Sequence, residues 1–439
     1  MLCDDRRPPQ PCYVRRRDLL RPRWSLDGRG VPHIFRGLAE CARGVRLDTT
    51  HDTGAKVQSQ HVMKQRAMRS TFGRELRRPD ATGSTQFRTI VCQRSDPRWK
   101  RYIALLENAG FPVPAFALPS FTAASGQATR LVVLEREDGE VLWAAAAEVG
   151  RSRILPWRRI VRLPRFGPGI TPQIRDGVVS ALIELAATER ALRVHVEIFA
   201  PRPEDRNALT EALAHRKFQV ASHQRCYAST VFIDLRGSEQ EILATFHSKT
   251  RRDIRAISKY PLECRPITEP KLSDRLNELL GISMSRTGGR FDETRWTDVL
   301  AFVATDPTRA ALIGVFRTDI VGTEALVGYV LGYRHADTVQ YSVAACARLA
   351  DMRAPLLYAP TWELMRWGKR NGARWFDFGG VTTGSRASGD RAAGISDFKR
   401  YFCANVQSVA AEMVFSPVPR LSRLAAFVSA MASRLPFSG

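Results

Sequence analysis

The sequence predicts an α+β protein made of two similar halves, each a mixed, mostly antiparallel sheet flanked by helices, behind a basic N-terminal tail of low order. Three observations predict it. The same succession of strand and helix signals runs through the chain twice. The 439 residues are 44% apolar and 25% charged, near the globular average, and too many for one compact core. The first 85 residues, by contrast, are broken by Pro, Gly, Ser and Thr and hold no sustained period of two or 3.6. The expected divisions are a tail over 1–85, domains over 86–228 and 229–415, and an amphipathic helix over 416–439.

In the first half, Phe87-Arg88-Thr89-Ile90-Val91 alternates as a strand does, and Pro97 to Ala109 follows as a helix stopped by Gly110. Thr129 to Glu135 and Val141 to Val149 read as strands joined by the turn Glu137-Asp138-Gly139-Glu140. Leu163 to Gly169 reads as a loop. A helix over Pro172–Arg190, a strand over Val194–Ile198 and a helix over Pro203–His215 complete the half.

The second half begins with the strand Thr230 to Leu235. A long helix is expected from Ser238, where Ser238 and Glu241 have capping-box spacing. A helix over Lys271–Ser285, strands over Ala310–Phe316 and Ala325–Tyr333, a helix over Pro355–Asn371 and the strand Trp375–Phe378 follow. Each hairpin-rich half looks like an N-acyltransferase (GNAT) fold, so the whole is expected to be a tandem of GNAT-like domains.

Charge narrows the partners. Lys+Arg number 67 and Asp+Glu 44, a net +23, of which +9 lies in the first 85 residues. The remaining +14 attracts polyanions through its long-range field: tRNA, a pyrophosphate-linked precursor, coenzyme A or an anionic membrane surface. Arg15-Arg16-Arg17 is expected to be solvated rather than bound to nucleic acid. Apolar stretches such as Ala425–Met431 fall far short of the ~20 residues that span a bilayer. The N-terminus does not read as a signal peptide, and eight scattered cysteines without a CxxC pair suit reduced thiols in the cytosol. The expected location is cytoplasmic. Pro419 to Leu435 puts Leu421, Leu424, Val428, Met431 and Leu435 on one helical face, which is expected to pack on the domain. Peripheral contact with the inner membrane face is the alternative.

Two stretches carry chemistry. After Ser238, Arg251, Arg255 and Lys259 fall at i, i+4 and i+8, with Arg252 beside them. The stripe suits either an anion or plain solvation, with Asp253 its one acidic neighbour. Further on, a helix carrying Trp362 ends at Asn371-Gly372, Asp377-Phe378-Gly379-Gly380 closes a strand, and a Gly/Ser-rich loop leads to Phe398-Lys399. Glycines there let backbone approach a ligand, and a flexible loop between Asp377 and Lys399 suits a lid over a cleft. A buried turn explains the Asp-Phe-Gly-Gly run equally well.

Together, in this order, these stretches resemble the FemABX-type transferases, tandem-GNAT enzymes that add amino acids to cell-wall precursors. The resemblance rests on Tyr227–Leu235, Lys249–Arg255, Tyr358–Gly372, Phe376–Gly380 and Phe398-Lys399. In the first half, Pro164-Arg165-Phe166-Gly167-Pro168 is a loosened form of the family's Pro-Arg-Gly-Pro loop. The resemblance implies an aminoacyl-tRNA donor, the amine of a peptidoglycan or other envelope precursor as acceptor, and no bound cofactor or metal. It implies Lys399 as the cation facing the tetrahedral oxyanion or a tRNA phosphate, and Asp377 as either a proton acceptor or a structural cap. Arg251, Arg252, Arg255, Lys259, Arg165, Gly379, Gly380 and Trp362 are the implied substrate contacts. Gly169-Ile170-Thr171 departs from the acidic residue expected after the loop, and Phe402-Cys403-Ala404 lacks the usual glycine.

An acyl-CoA-dependent N-acyltransferase acting on an amino sugar or exopolysaccharide precursor is the alternative enzyme. Against it, Arg348 to Arg353 contains no glycine where such enzymes cradle a pyrophosphate. A basic RNA-binding module is the non-enzymatic alternative, with Trp99-Lys100-Arg101-Tyr102 and Trp157-Arg158-Arg159 as stacking platforms; no DNA contact is expected. His195, His215, His223, His247 and His335 have neither metal nor triad spacing.

Overall fold

The computed structural model describes residues 87–108, 113, 117–118, 128–222, 226–287, 294–382 and 393–432. The expected low-order tail and the stretch 383–392 of the expected lid lie outside the described residues.

In the first half the elements are β1 (Phe87–Gln93), α1 (Arg98–Asn108), β2 (Ala128–Arg136), β3 (Val141–Arg151), β4 (Arg159–Phe166), α2 (Arg175–Thr188), β5 (Ala191–Phe199), α3 (Pro203–His215) and β6 (Gln219–Val220). The second half opens with β7 (Ser229–Asp234), α4 (Glu239–Thr245), α5 (Ser248–Arg255), β8 (Leu262–Pro266), α6 (Ser273–Thr287) and α7 (Trp296–Thr305). It continues with β9 (Ala310–Arg317), β10 (Leu326–His335), β11 (Thr338–Cys346), α8 (Tyr358–Arg370), β12 (Trp375–Gly380) and α9 (Ala393–Arg400). The last elements are β13 (Val406–Ser408), β14 (Ala410–Phe415) and α10 (Pro419–Ala432).

Among the described residues the strands form two seven-stranded sheets, ordered β1-β2-β3-β4-β5-β14-β6 and β8-β9-β10-β11-β12-β7-β13. Strand for strand, β1 to β5 correspond to β8 to β12. In both sheets the fourth and fifth strands, β4–β5 and β11–β12, run parallel while the described neighbours pair antiparallel. This is the duplicated α+β arrangement the sequence predicts.

At the sixth place the first sheet takes in a strand from the C-terminal end of the chain. β14, which follows the whole second half, pairs with β5 from Ala410↔Phe199 to Phe415↔Val194. β7, which opens the second half, takes the sixth place of its own sheet beside β12. Residues 410–415, which the sequence reading puts in the second domain, therefore complete the first sheet. Such pairing is non-local, and no period within six residues reports it.

Burial follows the pleat. On β2 and β3, Val132, Leu134, Trp143 and Ala147 face a core shared with Val178, Leu182 and Leu185 of α2. Leu131, Val133, Ala144 and Ala146 face the opposite way, into a core that also takes in Leu276 and Leu280 of α6, Trp296 of α7 and Leu331 of β10. The two lobes thus share one continuous apolar core, which fixes their relative placement.

Other expectations are corrected in detail. The expected loop from Leu163 is strand up to Phe166, because Leu163 and Phe166 are buried against the α2 core. The long helix from Ser238 is two helices. The capping box forms, with Ser238 Oγ accepting from the Glu241 N–H at 3.2 Å and Glu241 Oε2 accepting from the Ser238 N–H at 2.7 Å. Phe246 then turns extended to bury its ring between Trp362 and Phe402, and His247 caps α5 through Lys249 N–H. Trp99 and Tyr102 are core residues rather than stacking platforms. Along α10 the apolar face is split: Leu421 and Ala425 pack on Leu155 and Leu192, whereas Leu424, Val428 and Met431 face outward together with Phe427. Leu435 lies outside the described residues.

Candidate active site

β11 and β12 pair only from Thr338↔Trp375 to Gln340↔Asp377. Asp377 therefore stands where two parallel strands part, a place where a sheet leaves backbone groups for another partner. Its carboxylate is completely buried. Oδ2 accepts from Arg165 Nη1 at 2.8 Å and from the Tyr227 hydroxyl at 2.9 Å, and Oδ1 accepts from the Gly379 N–H at 2.9 Å. The Thr230 hydroxyl lies 2.6 Å from Oδ1 and 2.8 Å from the Gly379 carbonyl, and donates to one of them at a time. Burial opposes ionisation, but the Arg165 charge and these hydrogen bonds outweigh it and hold the Asp377 carboxyl below the usual carboxylate range.

Arg165 arrives from the other lobe, at the end of β4. Its φ is +50°, in the left-handed region that few non-glycine residues occupy. The conformation turns the guanidinium across the lobe junction, where it stacks on the Phe199 ring at 3.7 Å and bonds Tyr227 at 3.0 Å as well as Asp377. Two residues on, Gly167 has φ +140°, and a Cβ there would stand 3.0 Å from the Phe199 carbonyl oxygen, so the loop that aims Arg165 requires glycine.

Gly379, at φ +69°, turns the backbone after Asp377 and delivers the Gly380 carbonyl to Lys399, whose Nζ donates to it at 2.6 Å. Lys399 is only 4% exposed. Burial pushes its ammonium down to about 8, with the Asp377 charge opposing the fall. Among the described residues Gly380 is the one hydrogen-bond acceptor of Nζ. A cation buried to this degree is a candidate to face charge that develops on a bound reactant. Its helix, α9, is fixed on both sides. Ser396 Oγ accepts from the Thr382 N–H at 2.9 Å, and Phe398 and Phe402 pack on Tyr358 and Phe378 at centroid distances of 4.9–6.3 Å.

Of the residues the sequence nominates, the structure brings together Lys399, Asp377, Arg165, Gly379 and Gly380. Trp362 is not with them; it is buried in the second half in a cluster with Phe246, Phe376 and Phe402, edge-on to Phe246 at 5.7 Å. The basic stripe divides. Arg251 folds back onto the carbonyl oxygens of Ala244 and Phe246, satisfying the end of α4. Arg252, Arg255 and Lys259 remain exposed, Arg252 leaning on Asp253 at 3.4 Å. Beside them Lys249 is paired to Asp253 and lies 4.8 Å over Tyr358 and 5.3 Å over Tyr401.

Tyr227 and Thr230 complete the site, and the sequence reading assigns them no role; the signal available is their place on and just before the strand that opens the second lobe. His335 is a further buried neighbour, contacting the Val113 carbonyl at 3.2 Å and Gln340 at 3.1 Å; burial and the Arg165 charge push its imidazole down to about 4. No group of three metal-ligating side chains occurs among the described residues. Between β11 and α8, Asp351 of the glycine-free stretch pairs with Arg317 at 2.7 Å.

No family model matches the chain, and no curated protein matches it. Solved structures do. FemX superposes with a TM-score of 0.61 at 14% identity, covering 74% of this chain and 98% of FemX. L-PGS from Bacillus licheniformis gives 0.44 at 16% identity, covering 75% of this chain and 95% of that one. A tandem GNAT protein from the clavulanic acid biosynthesis pathway gives 0.43 at 14% identity, covering 75% and 98%. The chain has the fold of FemX.

Proposed function

We propose that this chain, with the fold of FemX, is an N-acyltransferase that moves an aminoacyl group from aminoacyl-tRNA to an amine of a peptidoglycan or other cell-envelope precursor. The observation that carries the reading is Lys399: a buried ammonium, lowered to about 8, that donates to the Gly380 carbonyl beside the Asp377–Arg165 pair at the lobe junction.

In the proposed step the acceptor nitrogen attacks the ester carbonyl carbon. The new N–C bond forms as the carbonyl oxygen takes up negative charge, then the C–O bond to the tRNA ribose breaks. The proton lost by nitrogen ends on the ribose oxygen. Lys399 faces the developing oxyanion, where a fixed cation in a water-poor site contributes about 10²–10³ in rate. No covalent enzyme intermediate is required, which agrees with thiols that burial makes poor nucleophiles, such as Cys226 and Cys264, both pushed up to about 12. Asp377 acts as the anchor of the site and not as a base: both its oxygens are occupied and its charge is spent on Arg165. Arg252, Arg255 and Lys259 supply exposed positive charge for donor phosphates.

The test is label transfer to envelope precursors from charged tRNA and, separately, from acetyl-CoA, read by mass spectrometry. Transfer from charged tRNA that Lys399→Ala abolishes is the expected result. Transfer only from the thioester would replace the donor assignment, and full activity in Lys399→Ala would remove the mechanism.

A further inference from the structure

Before the start of β4, the end of that strand opposite Arg165, two segments separated by about 260 residues of sequence meet on one apolar cluster. Leu155, with Ile154, comes from the β3–β4 connection; Ala425 and Leu421 come from α10 and Val418 from the residue just before it; Leu192 of β5 packs with them. Arg193 clamps the helix to the sheet, donating to Ser422 Oγ at 2.7 Å and to the Ser422 carbonyl at 3.0 Å. The helix is therefore held in one orientation, and that orientation presents apolar side chains to solvent: Leu424 at 54% exposure, Phe427 at 64%, Val428 at 43% and Met431 at 49%. Their spacing of i, i+3, i+4 and i+7 makes a continuous ridge. The β3–β4 connection adds Trp157, 67% exposed.

The two segments that carry the ridge and Trp157 hold charge of one sign. From Val149 to Ile160 the chain carries Arg151, Arg153, Arg158 and Arg159 and no carboxylate; from Ser416 to Ala432 it carries Arg420 and Arg423 and no carboxylate. A rigidly mounted apolar ridge, an exposed indole and a basic surround are what an interfacial helix uses: side chains enter the headgroup region, the indole stays at its level and arginines meet lipid phosphates. We propose that α10 and the Trp157 connection form a docking surface for an anionic phospholipid bilayer, and that the protein works while seated on it. The inference stands apart from the transferase reading, since neither element contributes to the Lys399 site.

The experiment is flotation of the full-length chain with vesicles of phosphatidylcholine containing phosphatidylglycerol, at a salt concentration that screens charge-only attraction, with pure phosphatidylcholine vesicles alongside. Binding to the anionic vesicles is expected, with a drop of at least about tenfold in the Trp157→Ser/Phe427→Ser double variant. Both positions are exposed, so the variant is expected to fold, which its unfolding curve checks. Absence of wild-type binding, or equal binding by the double variant, overturns the proposal. So does a wild-type dimer that the double variant dissolves, which would make the ridge a contact between copies, or a loss in the variant of tRNA binding and not of vesicle binding.

Discussion

Arg165 and Asp377, 212 positions apart in the chain, meet at 2.8 Å across the lobe junction, and the arginine adopts left-handed backbone to get there. A buried pair of this kind is costly to break from one side, because the orphaned charge has no water to turn to. Arg165→Met is expected to lower unfolding free energy by about 3–5 kcal/mol, and Arg165→Met/Asp377→Leu to recover part of the loss. Urea unfolding of the single and double variants measures both, and purely additive losses would show that the pair is not coupled.

Lys399 supplies a pH dependence of definite sign. Its folded pKa, about 8, lies below the 10.5 of the unfolded chain, so the unfolded state binds more protons between those values. Stability is therefore expected to rise with pH across that window, by about 3 kcal/mol at most. Transfer activity is expected to run the other way and fall above pH about 8, as the ammonium is lost. Lys399→Met is expected to remove transfer while leaving the neutral-pH stability unchanged or higher. Activity that climbs through pH 8 would identify the amine, not the ammonium, as the working form.

Much of this site was legible in the sequence, and the reason is local. Asp377, Gly379, Gly380, Phe398 and Lys399 belong to short runs whose glycines and charges announce a turn beside a strand end. The capping box at Ser238 and Glu241 is equally local. What was not legible depends on partners remote in sequence. Trp362 and Trp99 carry no mark that distinguishes a core indole from a binding one, and only packing decides. The role of Arg251 is set by the break at Phe246, which exists because two rings from distant segments bury it. The insertion of β14 beside β5 is likewise invisible in six residues of β14 itself.

His335 gives an acid-side prediction. Its folded pKa, about 4, lies below the unfolded 6.5, because burial and Arg165 disfavour the imidazolium. The unfolded chain takes up the proton first as pH falls, so stability is expected to drop between pH 6.5 and 4, by about 3 kcal/mol at most. Asp377, also depressed, adds to the loss at lower pH still. His335→Gln is expected to flatten the profile between 6.5 and 4. An unchanged slope in that variant would assign the acid lability elsewhere.

The two glycines that shape the site are expected to differ in their tolerance of a methyl group. At Gly379, φ is +69° and the nearest atom to an added Cβ is the Tyr341 carbonyl oxygen at 3.6 Å, so space exists and only the left-handed backbone is penalised. Gly379→Ala is expected to destabilise by about 1–2 kcal/mol. At Gly167, φ is +140° and the Phe199 carbonyl oxygen stands at 3.0 Å, with Leu209 at 3.3 Å, so the loop itself must move. Because that loop aims Arg165, Gly167→Ala is expected to cost more stability than Gly379→Ala and to weaken the Arg165–Asp377 coupling measured in the double-variant cycle. The same rank order in denaturant midpoint and in coupling energy would tie the loop to the pair; a Gly167→Ala protein with coupling intact would separate them.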